Sequence, residues 1–112
     1  MGNILRSTVR NLSVMAVDHM VQGTFCEEDG MDHTAEEHHE SARHIVATMA
    51  TMAYPDDANM RSALQHNILR EIRRIHEGSN INSAQAITCI IDDTCDLVLD
   101  EIVSVTPGRM YE

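Results

Sequence analysis

Apolar residues recur along the chain at three- and four-residue spacing, and glycine or proline interrupts the pattern at Gly23, Gly30, Pro55, Gly78, Pro107 and Gly108. That period belongs to one face of an α-helix, whereas a half-buried strand alternates every second residue. It predicts four helices, over 3–22, 34–53, 56–77 and 83–105. No segment of useful length has strand periodicity and no internal repeat is present, so the expected class is all-α. The simplest architectures are a four-helix bundle or two packed helical hairpins, in one domain spanning the chain.

The first helix carries a stripe of Leu5, Val9, Leu12, Ala16 and Met20, and a second made of Val14, Val17 and Val21. A helix apolar on two sides must be covered on two sides, at the centre of the bundle or by another subunit. In so small a chain the second stripe is expected to be an oligomer contact. The second helix is expected to start at a capping box, Thr34 with Glu37, in which hydroxyl and carboxylate satisfy free amide groups. Its stripe is Ala42, Ile45, Met49 and Met52, and Pro55 ends it. Leu64, Ile68, Ile72 and Ile75 line the third helix. Ala84, Ile87, Ile91, Val98, Ile102 and Val105 line the fourth.

Charge changes this picture more than composition does. Eighteen acids accompany eight bases among 112 residues, for a formal net charge of −10. The bases are all arginine, and eight among eighteen acids make a broad basic face for duplex DNA hard to build. Aromatic residues make up 3% of the chain, too few to line a large substrate cavity. Arg6, Arg10 and Asp18 interrupt any secretory apolar segment, and no run approaches the roughly 18 apolar residues of a membrane span. Three cysteines without such a signal suggest free thiols. The expected location is the cytoplasm, with no membrane contact.

Two acidic constellations stand out. Glu36, Glu37 and Glu40 share the start of the second helix with His33, His38, His39 and His44. The alternatives there are a solvated, salt-bridged helix start, a metal site, or a surface that responds to pH. On the fourth helix, Asp92, Asp96 and Asp100 repeat every four residues, with Asp93 beside them. Like charges at that spacing repel, so something positive should face them. The nearest candidates are Arg70, Arg73 and Arg74 at the end of the third helix, which reach only part of the ladder in an antiparallel hairpin. The same arginines, with Arg61, His66 and His76, would be the contacts for single-stranded nucleic acid, although no aromatic residue lies between them for stacking.

Taken together, Glu36-Glu37-x-x-Glu40 and Asp93-x-x-Asp96 resemble the paired motifs of MazG-type all-α nucleotide pyrophosphohydrolases. The resemblance implies magnesium held by Glu37, Glu40, Asp93 and Asp96, with a water attacking the nucleotide phosphates. Asp93 stands where that family has glutamate, and a whole helix separates the motifs. The residues taken by themselves favour a non-catalytic protein without a cofactor. The expectation is an inhibitor or adaptor, of the type phages encode against host defences, that sets its acidic helix faces against a basic surface of a protein partner. Glu36, Glu37, Glu40, Asp92, Asp93, Asp96 and Asp100 would form the binding surface. Val14, Val17 and Val21 would join copies of the chain into a homo-oligomer.

Overall fold

The computed structural model describes residues 2–105 and is an all-α bundle. Four α-helices follow one another: α1 (Gly2–Glu28), α2 (Asp32–Ala53), α3 (Ala58–Ile72) and α4 (Ala84–Val105). Short 3-10 turns, Arg73–His76 and Asn80–Asn82, connect α3 to α4. Each helix packs on the next, and α4 closes the ring against α1. Side-chain pairs show the directions. Ser13 touches Met49 and His19 touches His38, so α1 and α2 are antiparallel. Arg10 meets Asp92 and Arg6 meets Asp96, so α1 and α4 are antiparallel too.

The first helix is longer than its sequence predicts. It runs through Gly23 and five residues beyond. A glycine inside a helix costs about 1 kcal/mol relative to alanine, which long-range packing can override. Here the missing side chain makes room, because a Cβ on Gly23 would lie 2.7 Å from the ring of His39. The true stop is Gly30, at φ +76°. The amide of Met31 donates to Cys26 O at 2.8 Å and that of Gly30 to Glu27 O at 3.1 Å. Those two bonds satisfy the last carbonyls of α1 in a left-handed C-terminal cap. The acidic segment between the first two predicted helices is therefore mostly helix. The capping box at Thr34 does not form either. Asp32 already opens α2, Met31 precedes it without a side-chain cap, and Glu37 lies against His33 instead.

The remaining caps are local. The carboxylate of Asp57 accepts from the amide of Met60 at 3.1 Å and starts α3. The hydroxyl of Ser83 accepts from the amide of Ala86, also at 3.1 Å, and starts α4. Arg61 donates to the carbonyls of Tyr54 and Pro55 and ties the turn between α2 and α3.

The core is aliphatic and runs the length of the bundle. Val9, Val46, Met49, Ile68, Ile72 and Val98 are fully buried in it. On α1 the buried arc takes in Val17 and Val21 together with Ala16 and Met20. The second stripe of that helix is thus covered mainly from within the chain, because α1 has both α2 and α4 for neighbours. Val17 and Val21 are not available as an oligomer contact, and Val14, 40% exposed, is the member of the stripe that faces outward. On α4 the buried face is Ile90, Thr94, Cys95, Val98, Leu99 and Ile102; it keeps Val98 and Ile102 of the expected stripe, whose ends Ala84 and Val105 are exposed.

Two polar side chains lie in this core. The hydroxyl of Ser13 donates to Val9 O one turn back, at 2.8 Å. The hydroxyl of Thr94 has no hydrogen-bond partner among the described residues. No helix of the described residues is long and apolar enough to cross a membrane.

Candidate functional site

The aspartate ladder of α4 is matched from within the chain. Asp92 accepts from Arg10, and Asp96 lies 3.9 Å from Arg6. Asp93 accepts from Arg74 at 2.8 Å, and Arg74 also holds Glu71. Hydrogen bonds donated to these carboxylates raise the pKa of Arg10 and of Arg74 above the ordinary arginine value. Asp100 is exposed and has no ion-pair partner among the described residues. The arginines that answer the ladder come chiefly from α1, whereas the sequence pointed to α3. The signal was present: Arg6 and Arg10 have the same four-residue spacing as Asp92 and Asp96. Antiparallel helices with equal rise bring two such pairs into register. Arg70 and Arg73 stay exposed. Arg61 is engaged with backbone carbonyls, so the arginines of α3 do not form one free basic strip.

The acidic start of α2 is different. It packs against the last turns of α1, and together they make the end of a helical hairpin. The ion pairs of α1 with α4 place the first residue of α4 level with about residue 18 of α1. The outer ten residues of α1 therefore extend past α4. Residues 27–44, which include this end, hold seven acids and one arginine. That arginine, Arg43, donates to Glu36 at 2.8 Å. The other described ion partners of these acids are histidines. His33 lies 3.1 Å from Glu37, His44 lies 3.6 Å from Glu40, and His39 lies 2.5 Å from Glu27. Glu28, Asp29 and Asp32 are exposed with no ion-pair partner among the described residues. With histidine neutral, this end is by far the most negative part of the surface.

Glu37 and Glu40 are not brought to Asp93 and Asp96. Between the two glutamates lies His39, whose ring covers Gly23. The two aspartates stand level with Arg10 and Arg6. Thirteen residues of α1 separate Gly23 from Arg10, about 20 Å at 1.5 Å per residue. Magnesium binds oxygen at about 2.1 Å, so these four carboxylates cannot share an ion. Among the described residues no group of three or more His, Cys, Asp or Glu side chains could hold a metal.

Two further groups have altered chemistry. The hydroxyl of Tyr54, at the end of α2, donates to Glu101 on α4, and that bond pushes the phenol up to about 12. Burial pushes the thiol of Cys95 up, which lowers its thiolate fraction and its reactivity. The three cysteines are free thiols, with Cys89 exposed and Cys26 half-buried. Comparison with family models, with curated proteins and with solved structures finds no match.

Proposed function

We propose that the protein acts by binding another macromolecule, with the acidic end of the α1–α2 hairpin set against a basic surface of a protein partner. One contrast supports this. Asp92, Asp93 and Asp96 of α4 each face an arginine of their own chain, whereas the seven acids of residues 27–44 have one arginine among them, Arg43, which answers Glu36. Uncompensated like charge in one region costs self-repulsion, and an oppositely charged partner relieves it. Glu36, Glu37 and Glu40 then belong to the contact surface, with Asp100 as an outlying member. Asp92, Asp93 and Asp96 contribute only if the partner displaces their arginines.

The mode of action is inhibition or bridging rather than catalysis, in the cytoplasm. The same charge repels duplex DNA. Self-association is part of the reading, and it draws on exposed apolar residues of α1 such as Ile4, Val14 and Met15.

The test is affinity capture from a cell lysate at low salt, with the triple variant Glu36→Gln, Glu37→Gln, Glu40→Gln in parallel. The native protein should retain a basic protein that salt releases, because exposed charge contacts are screened. The variant should lose it. Equal capture by both would refute the assignment. Magnesium-dependent release of pyrophosphate from nucleoside triphosphates, abolished by Glu40→Ala, would overturn the binding reading altogether. Light scattering tests self-association, and a monomer at every concentration would exclude it.

A further inference from the structure

The histidines at the hairpin end are arranged in a way that a solvated acidic face does not require. His19 on α1 and His38 on α2 face each other across the helix interface, with Nδ1 atoms 3.1 Å apart and ring centroids 5.3 Å apart. Half the difference between those distances is about 1.1 Å, the centre-to-nitrogen radius of an imidazole. The two nitrogens therefore lie close to the line joining the rings, and each lone-pair direction points at the other ring. That is the geometry of a linear N–H···N bond. Two imidazoles bound to one metal at about 2 Å point instead at a third position between them.

A neutral imidazole has one nitrogen that donates and one that accepts, and a protonated one donates from both. The contact holds when one facing nitrogen carries a proton and the other does not. With both rings protonated, two N–H groups and two positive charges meet head-on. Histidine changes charge between about pH 5 and about pH 8, so this change falls in an accessible range.

The neighbouring elements supply little to offset it. On α1 the charges beside the pair are the exposed Asp18 and, two turns on, Glu27, which is taken by His39. On α2, Glu37 is bound to His33 and Arg43 to Glu36. Of the arginines near the end of α3, Arg70 and Arg73 are exposed and Arg74 is held by Glu71 and Asp93. Neither α3 nor α4 makes a hydrogen bond or ion pair to either ring among the described contacts. The outer contact has the opposite response. His39 lies on Glu27 at 2.5 Å, and a proton on its ring turns that bond into an ion pair.

We propose that the α1–α2 hairpin is a proton-operated joint, in which His19 and His38 share one proton and a second proton parts them while the His39–Glu27 contact keeps the tip closed. The helices then separate at the level of His19, while His39, next to His38 on α2, still reaches Glu27 two turns further along α1. The proposal goes beyond the binding reading and needs no partner.

The test follows the imidazole nitrogens by NMR from about pH 8 to about pH 5 in the full-length protein, with amide hydrogen exchange over residues 34–42 measured alongside. His19 and His38 should titrate in linked steps, each responding to the other. Protection of those amides, corrected for the intrinsic rate, should fall about tenfold over the same range. In His19→Gln an amide replaces the titrating ring. His38 should then follow a single-site curve, and the fall in protection should vanish. Glu27→Gln, which leaves the pair intact, should deepen the fall. Independent titration of the two rings in the native protein would overturn the proposal. So would the same loss of protection in His19→Gln as in the native protein.

Discussion

The place to test the hairpin as a packed object is Gly23. It lies inside α1, where alanine is worth up to about 1 kcal/mol more than glycine in a helix interior. On propensity alone Gly23→Ala stabilises. The structure predicts otherwise, since an added Cβ would meet His39 Cε1 at 2.7 Å, Nδ1 at 2.9 Å and Nε2 at 3.1 Å. The ring cannot simply swing away, because its side chain is 16% exposed and bonded to Glu27. Overpacking of this kind costs about 1–3 kcal/mol. The net effect should run from near zero to about 2 kcal/mol destabilising. In a His39→Ala background the obstacle is gone, and the same substitution should stabilise by up to about 1 kcal/mol. The coupling between the two sites should therefore be about 1–3 kcal/mol, within the range for residues in contact. Urea unfolding of the four proteins measures it, with a common slope showing that only stability has changed. If Gly23→Ala stabilises both backgrounds equally, His39 does not lie on Gly23 and the register of the hairpin is wrong.

The remaining predictions concern groups elsewhere in the bundle. Thr94→Val should stabilise the protein by about 1 kcal/mol, because it keeps the shape of a buried side chain and removes a hydroxyl with no partner; thermal or urea unfolding reads it, and a loss of stability would mean that the hydroxyl is bonded. Arg10→Asp should lower the urea midpoint, and adding Asp92→Arg should restore most of the loss, since the swap rebuilds the α1–α4 pair with its sign reversed. In a Tyr111→Phe background, Tyr54 is the remaining tyrosine, and its phenolate absorbance should rise near pH 12 rather than at the ordinary value of about 10. A phenol raised on folding contributes stability that is complete below about pH 10 and lost as pH climbs towards 12, so Tyr54→Phe should remove that alkaline loss.

How much of this was legible in the sequence depended on whether neighbours in the chain were also neighbours in space. The stripe of α3 was, because Leu64, Ile68, Ile72 and Ile75 are all large, all buried and spaced for one face. The end of α1 was not. Gly23 reads as a stop, but its cost is small and the reason it is tolerated, the ring of His39, sits on another helix. The two stripes of α1 invited a subunit contact because the sequence does not say that α2 and α4 flank this helix together. Ser13 and Thr94 broke the apolar pattern although both face the core. Ser13 can do so because its hydroxyl is satisfied by its own helix. The acidic residues divided in the same way. Those of the hairpin end lie close together in the chain and were visible as a cluster, and Glu36, Glu37 and Glu40 pair within seven residues. Two partners of the α4 ladder, Arg6 and Arg10, are more than eighty residues away in the chain, and without the α1–α4 register its charge looked largely unmatched.

That register also decides where the net charge of −10 is expressed. Arginine is the only cation in the chain besides protonated histidine, and the bundle uses five of the eight in fixed contacts. Arg6 and Arg10 hold α1 to α4, Arg74 holds the end of α3 to α4, Arg61 closes the turn after α2, and Arg43 serves Glu36. Removing Arg6, Arg10, Arg61 or Arg74 for a charged partner would cost a contact that orients two elements, whereas Arg43 and Glu36 share α2. The acids at the hairpin end carry no such obligation beyond Arg43 and their histidines. An acidic bundle with arginines spread evenly would have a weak field everywhere and the same response at any pH. This chain concentrates its cations in the body and its histidines at the tip. The negative charge is therefore concentrated at one end.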